Sequence, residues 1–150
     1  LIRRTVFRHI RFDKSYRTAY DQFFAVKVVL LGFKFGYVDE VHQIYHVHDS
    51  HISLVAGGDS AKREASGNTH IRGYNGMLNY QLTSEQRNAL DERIAREWAW
   101  NISVAQREQG KYRNSMLSML NAVKLKPLSA KYIKSFFVSV IRYITHPLSN

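Results

Sequence analysis

Asp21-Gln-Phe-Phe-Ala-Val-Lys-Val-Val-Leu-Leu31 runs straight into Gly32. Apolar residues surround almost the whole helical wheel of this stretch, which predicts a buried helix rather than a surface one. Gly32 suits the left-handed position that ends a helix. Downstream, Phe33 to Val38 and Val41 to His48 have strand character, the first with partial alternation. Asp49 to Ser60 contains Gly57-Gly58 and reads as a loop. Residues 1–58 therefore predict an α/β unit, and the texture changes after it.

Residues 59–150 are helical in pattern and predict a helical extension, so the piece as a whole is α/β and mostly α. Thr83-Ser84-Glu85-Gln86 has capping-box spacing, a hydroxyl followed three residues later by an amide. The helix it opens predicts a run through Trp98 and Trp100 to Gln109, stopped by Gly110. A second helix spans about Tyr112 to Leu125 and ends before Pro127. Ser129 is placed to cap a third that reaches about Thr145. The pair around Gly110 resembles a single tetratricopeptide-like hairpin. Gly110, Met119, Ala122 and Pro127 fall on its small, bulky, small and proline positions. No second copy follows, and arrays of this kind depend on stacked neighbours.

The 150 residues carry a net charge of +10 and no cysteine. Disulfides and cysteine-ligated zinc are excluded, and a reducing compartment such as the cytoplasm is expected. The basic balance points to anionic partners or to a solvated basic surface. Arg3-Arg4, Arg8 and Arg11, with abundant tyrosine, leave a nucleic-acid-binding module open as an alternative. No helix-turn-helix, RNP or finger signature accompanies them, so no nucleic acid is expected as a partner. A helical protein-interaction module built on the Gly110 hairpin is the other alternative. The chain opens Leu1-Ile-Arg-Arg-Thr-Val-Phe7, which reads like the middle of a longer protein.

Phe12-Asp13 is followed eight residues later by Asp21, then by the apolar helix and Gly32, then by Tyr45-His46-Val47-His48 and Ser53. This order resembles the carboxyl-terminal part of the family 2 glycosyltransferase catalytic domain. That family commonly shows Phe-Asp, Glu-Asp at a helix start, a glycine, and Tyr-Arg-x-His with a serine downstream. The resemblance covers about residues 1–55. It implies a GT-A fold and inverting transfer of a sugar from a nucleotide-diphosphate donor to a glycan or lipid-linked acceptor. Polysaccharide or cell-envelope synthesis, at the inner face of the cell membrane, is the setting it implies.

The resemblance places the general base at Asp21. A sugar hydroxyl is a poor nucleophile at neutral pH, and a carboxylate in hydrogen-bond reach can take its proton as the new bond forms. The competing reading of Asp21 is a plain first-turn carboxylate stabilising the helix start. Tyr20 stands where the family has glutamate and His46 where it has arginine, so acceptor contacts depart from the usual pattern. Tyr20, Tyr45, His46 and His48 are the candidate substrate-binding residues. His48 is also the candidate ligand to a divalent cation, Mg or Mn, at the donor diphosphate. His42, His46, His48 and His51 fall within ten residues and by themselves would suggest zinc. Their spacing fits no named zinc motif. A half-buried strand histidine is the other reading of His48.

No Asp-x-Asp, Gly-x-Gly-x-x-Gly or P-loop occurs in the chain. The donor-binding half is expected upstream, which predicts that this chain alone is inactive. It also predicts apolar surface around Phe23, Phe24 and Val28 laid bare where that sheet would sit. The run 129–145 places Ile133, Phe136, Phe137, Val140, Ile141 and Ile144 at three- and four-residue steps, with Lys131, Lys134 and Arg142 largely off that stripe. It predicts either a helix lying on a membrane surface or one packed on the preceding hairpin through Phe136, Phe137 and Ile141.

Overall fold

The computed structural model describes residues 2–13, 16, 20–36, 39 and 58–146. After a short 3-10 turn at Val6–Arg8 come α1 (Tyr20–Leu30), α2 (Ser60–Met77) and α3 (Ser84–Arg96). A π-helical segment, Glu97–Ile102, continues α3 into α4 (Ser103–Glu108); α5 (Tyr112–Leu125) and α6 (Ala130–Thr145) follow. The described residues are mostly helical and contain no strand. Phe33 to Gly36, expected as strand, forms none. Phe33 instead folds back onto Val6, Ile10, Phe24 and Val28, a contact that serves in place of a pairing partner. The remainder of the two expected strands, residues 37–38 and 41–48, lies outside the described residues.

The helix ends follow local chemistry. Gly32 and Gly110 both adopt positive φ, 81° and 74°. In each case the next residue reaches back across the turn: Phe33 N–H donates to the Val28 carbonyl at 3.2 Å, Lys111 N–H to the Gln106 carbonyl at 2.8 Å. That is the bonding of a glycine-terminated helix, and it satisfies carbonyls the helix leaves over. The capping box at Thr83 forms as expected: Gln86 N–H donates to Thr83 Oγ1, and Thr83 N–H donates to Gln86 Oε1. Asp59 caps α2, accepting from the backbone N–H groups of Ala61 and Lys62. The Lys62 N–H leads the contributions that hold its carboxyl below the ordinary range, against an opposing desolvation. Ser129 occupies the cap position of α6, but its side chain makes no cap hydrogen bond.

Three apolar clusters hold these elements. Phe23 of α1 meets Ile71, Tyr74 and Met77 of α2, with Ile94 and Ile102 behind them. Ala95, Ala99, Met119, Ala122 and Tyr132 pack α3, the π segment, α5 and α6 together. Val6, Ile10, Phe24 and Val28 form the third. Phe23, Phe24 and Val28 are themselves buried, whereas Val29 and Leu31 beside them are exposed, so the expected bare apolar surface lies next to these three side chains and not on them. Phe23 is covered by α2, and Phe24 and Val28 by the N-terminal turn, so no further sheet is needed to hide them.

The seat of Phe23 is Gly73. A Cβ built on Gly73 would fall 2.3 Å from Phe23 Cζ and 2.6 Å from both ring Cε atoms. Only a residue without a side chain lets the ring lie flat on the α2 backbone. A smaller version recurs at Gly67, where a Cβ would sit 2.7 Å from Ile102 Cγ1.

Polar pairs register the long helices. Glu64 of α2 accepts from Gln106 Nε2 at 2.8 Å and Gln109 Nε2 at 3.0 Å. Gln106 Oε1 in turn accepts from Ser118 Oγ at 2.7 Å, and Ser103 Oγ meets Ser115 Oγ at 2.9 Å. Arg63 pairs with Glu108 alongside. Ser103, Gln106, Ser115 and Ser118 are all buried, so each needs the partner it has.

Helix propensity alone would make Gly73→Ala favourable by about 1 kcal/mol. The clash with a fully buried ring opposes this by roughly 1–3 kcal/mol. Gly73→Ala is thus expected to lower the melting temperature. In a double-mutant cycle, Phe23→Ala should cost much less when Gly73→Ala is already present than it does in wild type. Additive losses in thermal or denaturant unfolding would show that ring and glycine do not communicate.

Candidate functional site

The start of α1 is built by an aromatic layer. Phe12 stacks on Phe24 with centroids 4.2 Å apart, and Phe7 lies against the same ring at 5.5 Å. Tyr20 meets Phe12 edge-on at 5.9 Å. Because Phe24 is anchored in the N-terminal cluster, this layer fixes the Phe12-Asp13 dipeptide beside the first turn of α1. Phe12 and Tyr20 keep about half of their surface in solvent. Two motifs separated along the chain are thus neighbours in space.

Asp21 sits in the first turn of α1 and is exposed. Its Oδ1 accepts from the Gln22 N–H at 2.9 Å. That contact orients the carboxylate at the helix start. The arrangement suits two roles: an anion complementing the helix N-terminus, and a base held in one direction. Of the sequence-derived site residues, the structure brings Tyr20 and Asp21 together with Phe12. Tyr45, His46 and His48 lie outside the described residues.

Among the described residues no group of three or more His, Asp or Glu side chains is placed to hold a metal ion. They provide no ligand set for the divalent cation implied by the resemblance.

A second polar cluster was not legible in the sequence. His70 of α2 lies edge-on to Phe23 at 5.9 Å and beside Tyr74 at 6.2 Å. Its Nδ1 is 3.4 Å from Glu97 Oε1, ion-pair range without hydrogen-bond alignment. Glu97 opens the π-helical segment and accepts from Asn101 Nδ2 at 2.6 Å. Burial first, and the Glu97 charge second, push the Tyr74 phenol above its ordinary value. π-Helical turns frequently occur at functional sites. Here the turn brings Glu97 against His70 of α2, whose ring meets Phe23 of α1.

A third group perturbs its own titration and is structural. Tyr132 is fully buried and donates its hydroxyl to Glu92 Oε1 at 2.9 Å; Lys131 Nζ donates to the same oxygen at 2.7 Å. Burial, reinforced by the bond to Glu92, raises the Tyr132 phenol. For Glu92, burial alone would raise the carboxyl, but the bonds from Lys131 and Tyr132 outweigh it and the net shift is downward. The group ties α6 to α3.

Comparison with models of known protein families, with curated proteins and with solved structures finds no match for this chain.

Because the folded-state value of Glu92 is depressed, its contribution is complete above the ordinary carboxylate value of 4.5 and is lost as pH falls through the lowered one. Its side chain is about one-third exposed, so solvent screening keeps the effect near 1 kcal/mol or below. Glu92→Gln should therefore melt earlier than wild type at neutral pH, and the gap should close in acid. A gap of constant size in melts from neutral pH down to about pH 3 would remove Glu92 from the acid response.

Proposed function

We propose that this chain is part of an inverting, family 2 type glycosyltransferase, with Asp21 as the base that deprotonates the acceptor hydroxyl. One observation carries the reading. The Phe12-Asp13 pair and the Asp21 helix start, separate short motifs in the sequence, lie side by side through the Phe12–Tyr20 and Phe12–Phe24 ring contacts. The rings leave an apolar, partly exposed shelf next to an oriented carboxylate. A pyranose presents an apolar face of C–H groups and a rim of hydroxyls, which this combination can hold and activate. The GT-A fold belongs to the same proposal, with the nucleotide-sugar donor bound by residues other than those described.

In this reading Asp21 accepts the acceptor's hydroxyl proton as its oxygen attacks the anomeric carbon. The bond to the nucleotide diphosphate breaks on the opposite face, which inverts the configuration. Tyr20 stands beside the base to position the acceptor. His48 would serve the diphosphate and its cation.

Asp21→Asn keeps the shape and the Gln22 contact while removing the basic oxygen. Within the transferase that carries this segment it is expected to preserve folding and lower sugar transfer by about a hundredfold or more. The check is initial-rate transfer from a nucleotide-sugar together with a thermal melt. Near-normal turnover in a folded Asp21→Asn enzyme would return Asp21 to a purely helix-stabilising role.

A further inference from the structure

The packing of α6 divides its apolar residues between an inner and an outer face. The helix turns Tyr132 and Ser139 inward, and Phe136 is half-buried against the Ala95–Ala122 cluster. Phe137, Ile141 and Ile144 are exposed at 60%, 60% and 65%. These three recur at steps of four and three residues and form one stripe on the outer face. Ile133 and Val140, half-buried, border it. Packing on the hairpin thus accounts for Phe136 and leaves Phe137 and Ile141 uncovered.

The charge carried by α6 and the chain around it has one sign. Residues 109–150 contain no Asp or Glu, while Lys and Arg recur through all of them. Lys134 and Arg142 are exposed on α6 beside the apolar stripe. Arg107 on α4 feels the Arg142 charge, which after burial lowers its proton affinity, and it also feels the opposing charge of Glu108. Among the described residues no helix is long and apolar enough to cross a membrane. A bulky apolar face flanked by cations on a helix too short to span is the composition of an interfacial helix.

We propose that the outer face of α6 seats this protein on an anionic lipid surface, with Phe137, Ile141 and Ile144 entering the headgroup boundary and Lys134 and Arg142 lying among the lipid phosphates. A second copy of the chain fits the face poorly. Antiparallel two-fold pairing of the stripe would bring the Lys134 and Arg142 flanks of both copies together, like charge against like. A nucleic acid would use the cations and leave the Phe and Ile side chains in water. A lipid surface satisfies both. The proposal is independent of the transferase reading, since it uses no residue of the α1 site.

Flotation of the full chain with phosphatidylcholine vesicles containing phosphatidylglycerol tests it. At low salt the protein is expected to rise with these vesicles, and far less with phosphatidylcholine alone. Near 1 M salt, where the screening length is about 3 Å, binding should weaken. Phe137→Ser with Ile141→Ser replaces two exposed side chains and should leave the melt unchanged while reducing vesicle partition about a hundredfold. Lys134→Gln with Arg142→Gln should weaken binding and flatten its salt dependence. Phe137→Trp supplies a reporter whose emission should move to the blue on the anionic vesicles. A wild-type chain that stays in the soluble fraction at low salt overturns the proposal. So does undiminished flotation of the Phe137/Ile141 variant. A lipid-free dimer that this variant converts to monomer would assign the face to protein contact instead.

Discussion

The Phe23 ring lying flat on Gly73 is the contact on which the relation between the N-terminal segment and the helical body depends. Everything the α1 start presents is carried on a helix that meets the rest of the molecule mainly through that ring and its neighbours Tyr16, Ile71 and Tyr74. A glycine in mid-helix costs about 1 kcal/mol of intrinsic stability relative to alanine. Here that cost is offset by removing a large aromatic side chain from water, which is worth about 1.5–3 kcal/mol. The same logic places Gly67 under Ile102, so α2 receives bulky side chains from two directions through two gaps in its own surface.

The helical body solves its packing differently. Its tightest layer is built from Ala95, Ala99 and Ala122, all fully buried, with Met119 and Tyr132 filling the space between them. Small residues let helix backbones approach closely, but they bury little apolar area each. The deficit is met by paired polar side chains, Ser103 with Ser115 and Gln106 with Ser118, which are satisfied within the interface. Such bonds add about 1 kcal/mol apiece when made and cost more than that when one partner is lost. They also set register: sliding α5 by one residue against α4 would leave buried hydroxyl and amide groups unpaired.

What was legible in the sequence was whatever is decided within about five residues. Gly32, Gly110, the Thr83–Gln86 box and the stop before Pro127 announce themselves because each bond involved is local. The bounds of α5 and α6 followed from these signals. The helix Ser60–Met77 had no such announcement beyond a general helical texture: its apolar residues are few, and its glycines read as breakers. Its interior glycines make sense only once Phe23 and Ile102 are known to land on them, and those contacts span many residues of chain. For the same reason the His70–Glu97 pair and the Glu64–Gln106 bond were invisible. The burial of the Phe23 ring itself was missed on this point, because its cover comes from α2, far along the chain. At the α1 start, the order of Phe12, Asp13 and Asp21 was readable, but the ring contacts that make it a place rather than a list were not.

The outward face of α6 follows from how the hairpin interior is filled. An ordinary amphipathic helix in a globular domain directs its largest apolar residues inward and its serines outward. α6 does the reverse over much of its length: Ser139 is buried while Phe137, Ile141 and Ile144 are in solvent. Ser139 can be inside because its hydroxyl donates to the Ser135 carbonyl one turn back, at 3.0 Å, and so needs no partner from α5. The inner face is thus closed with small groups plus Tyr132 and Phe136, and the layer beneath it has no room for a second row of bulky side chains. Rotating α6 to bury the Phe137 stripe would expose Tyr132 and break its bond to Glu92. The apolar stripe is held outward by the quality of the packing on the opposite side, and the packing of the hairpin gains nothing from it. An apolar stripe held outward against the hydrophobic effect, with Lys134 and Arg142 on the same helix, is where an external apolar, anionic phase has the most to gain from contact.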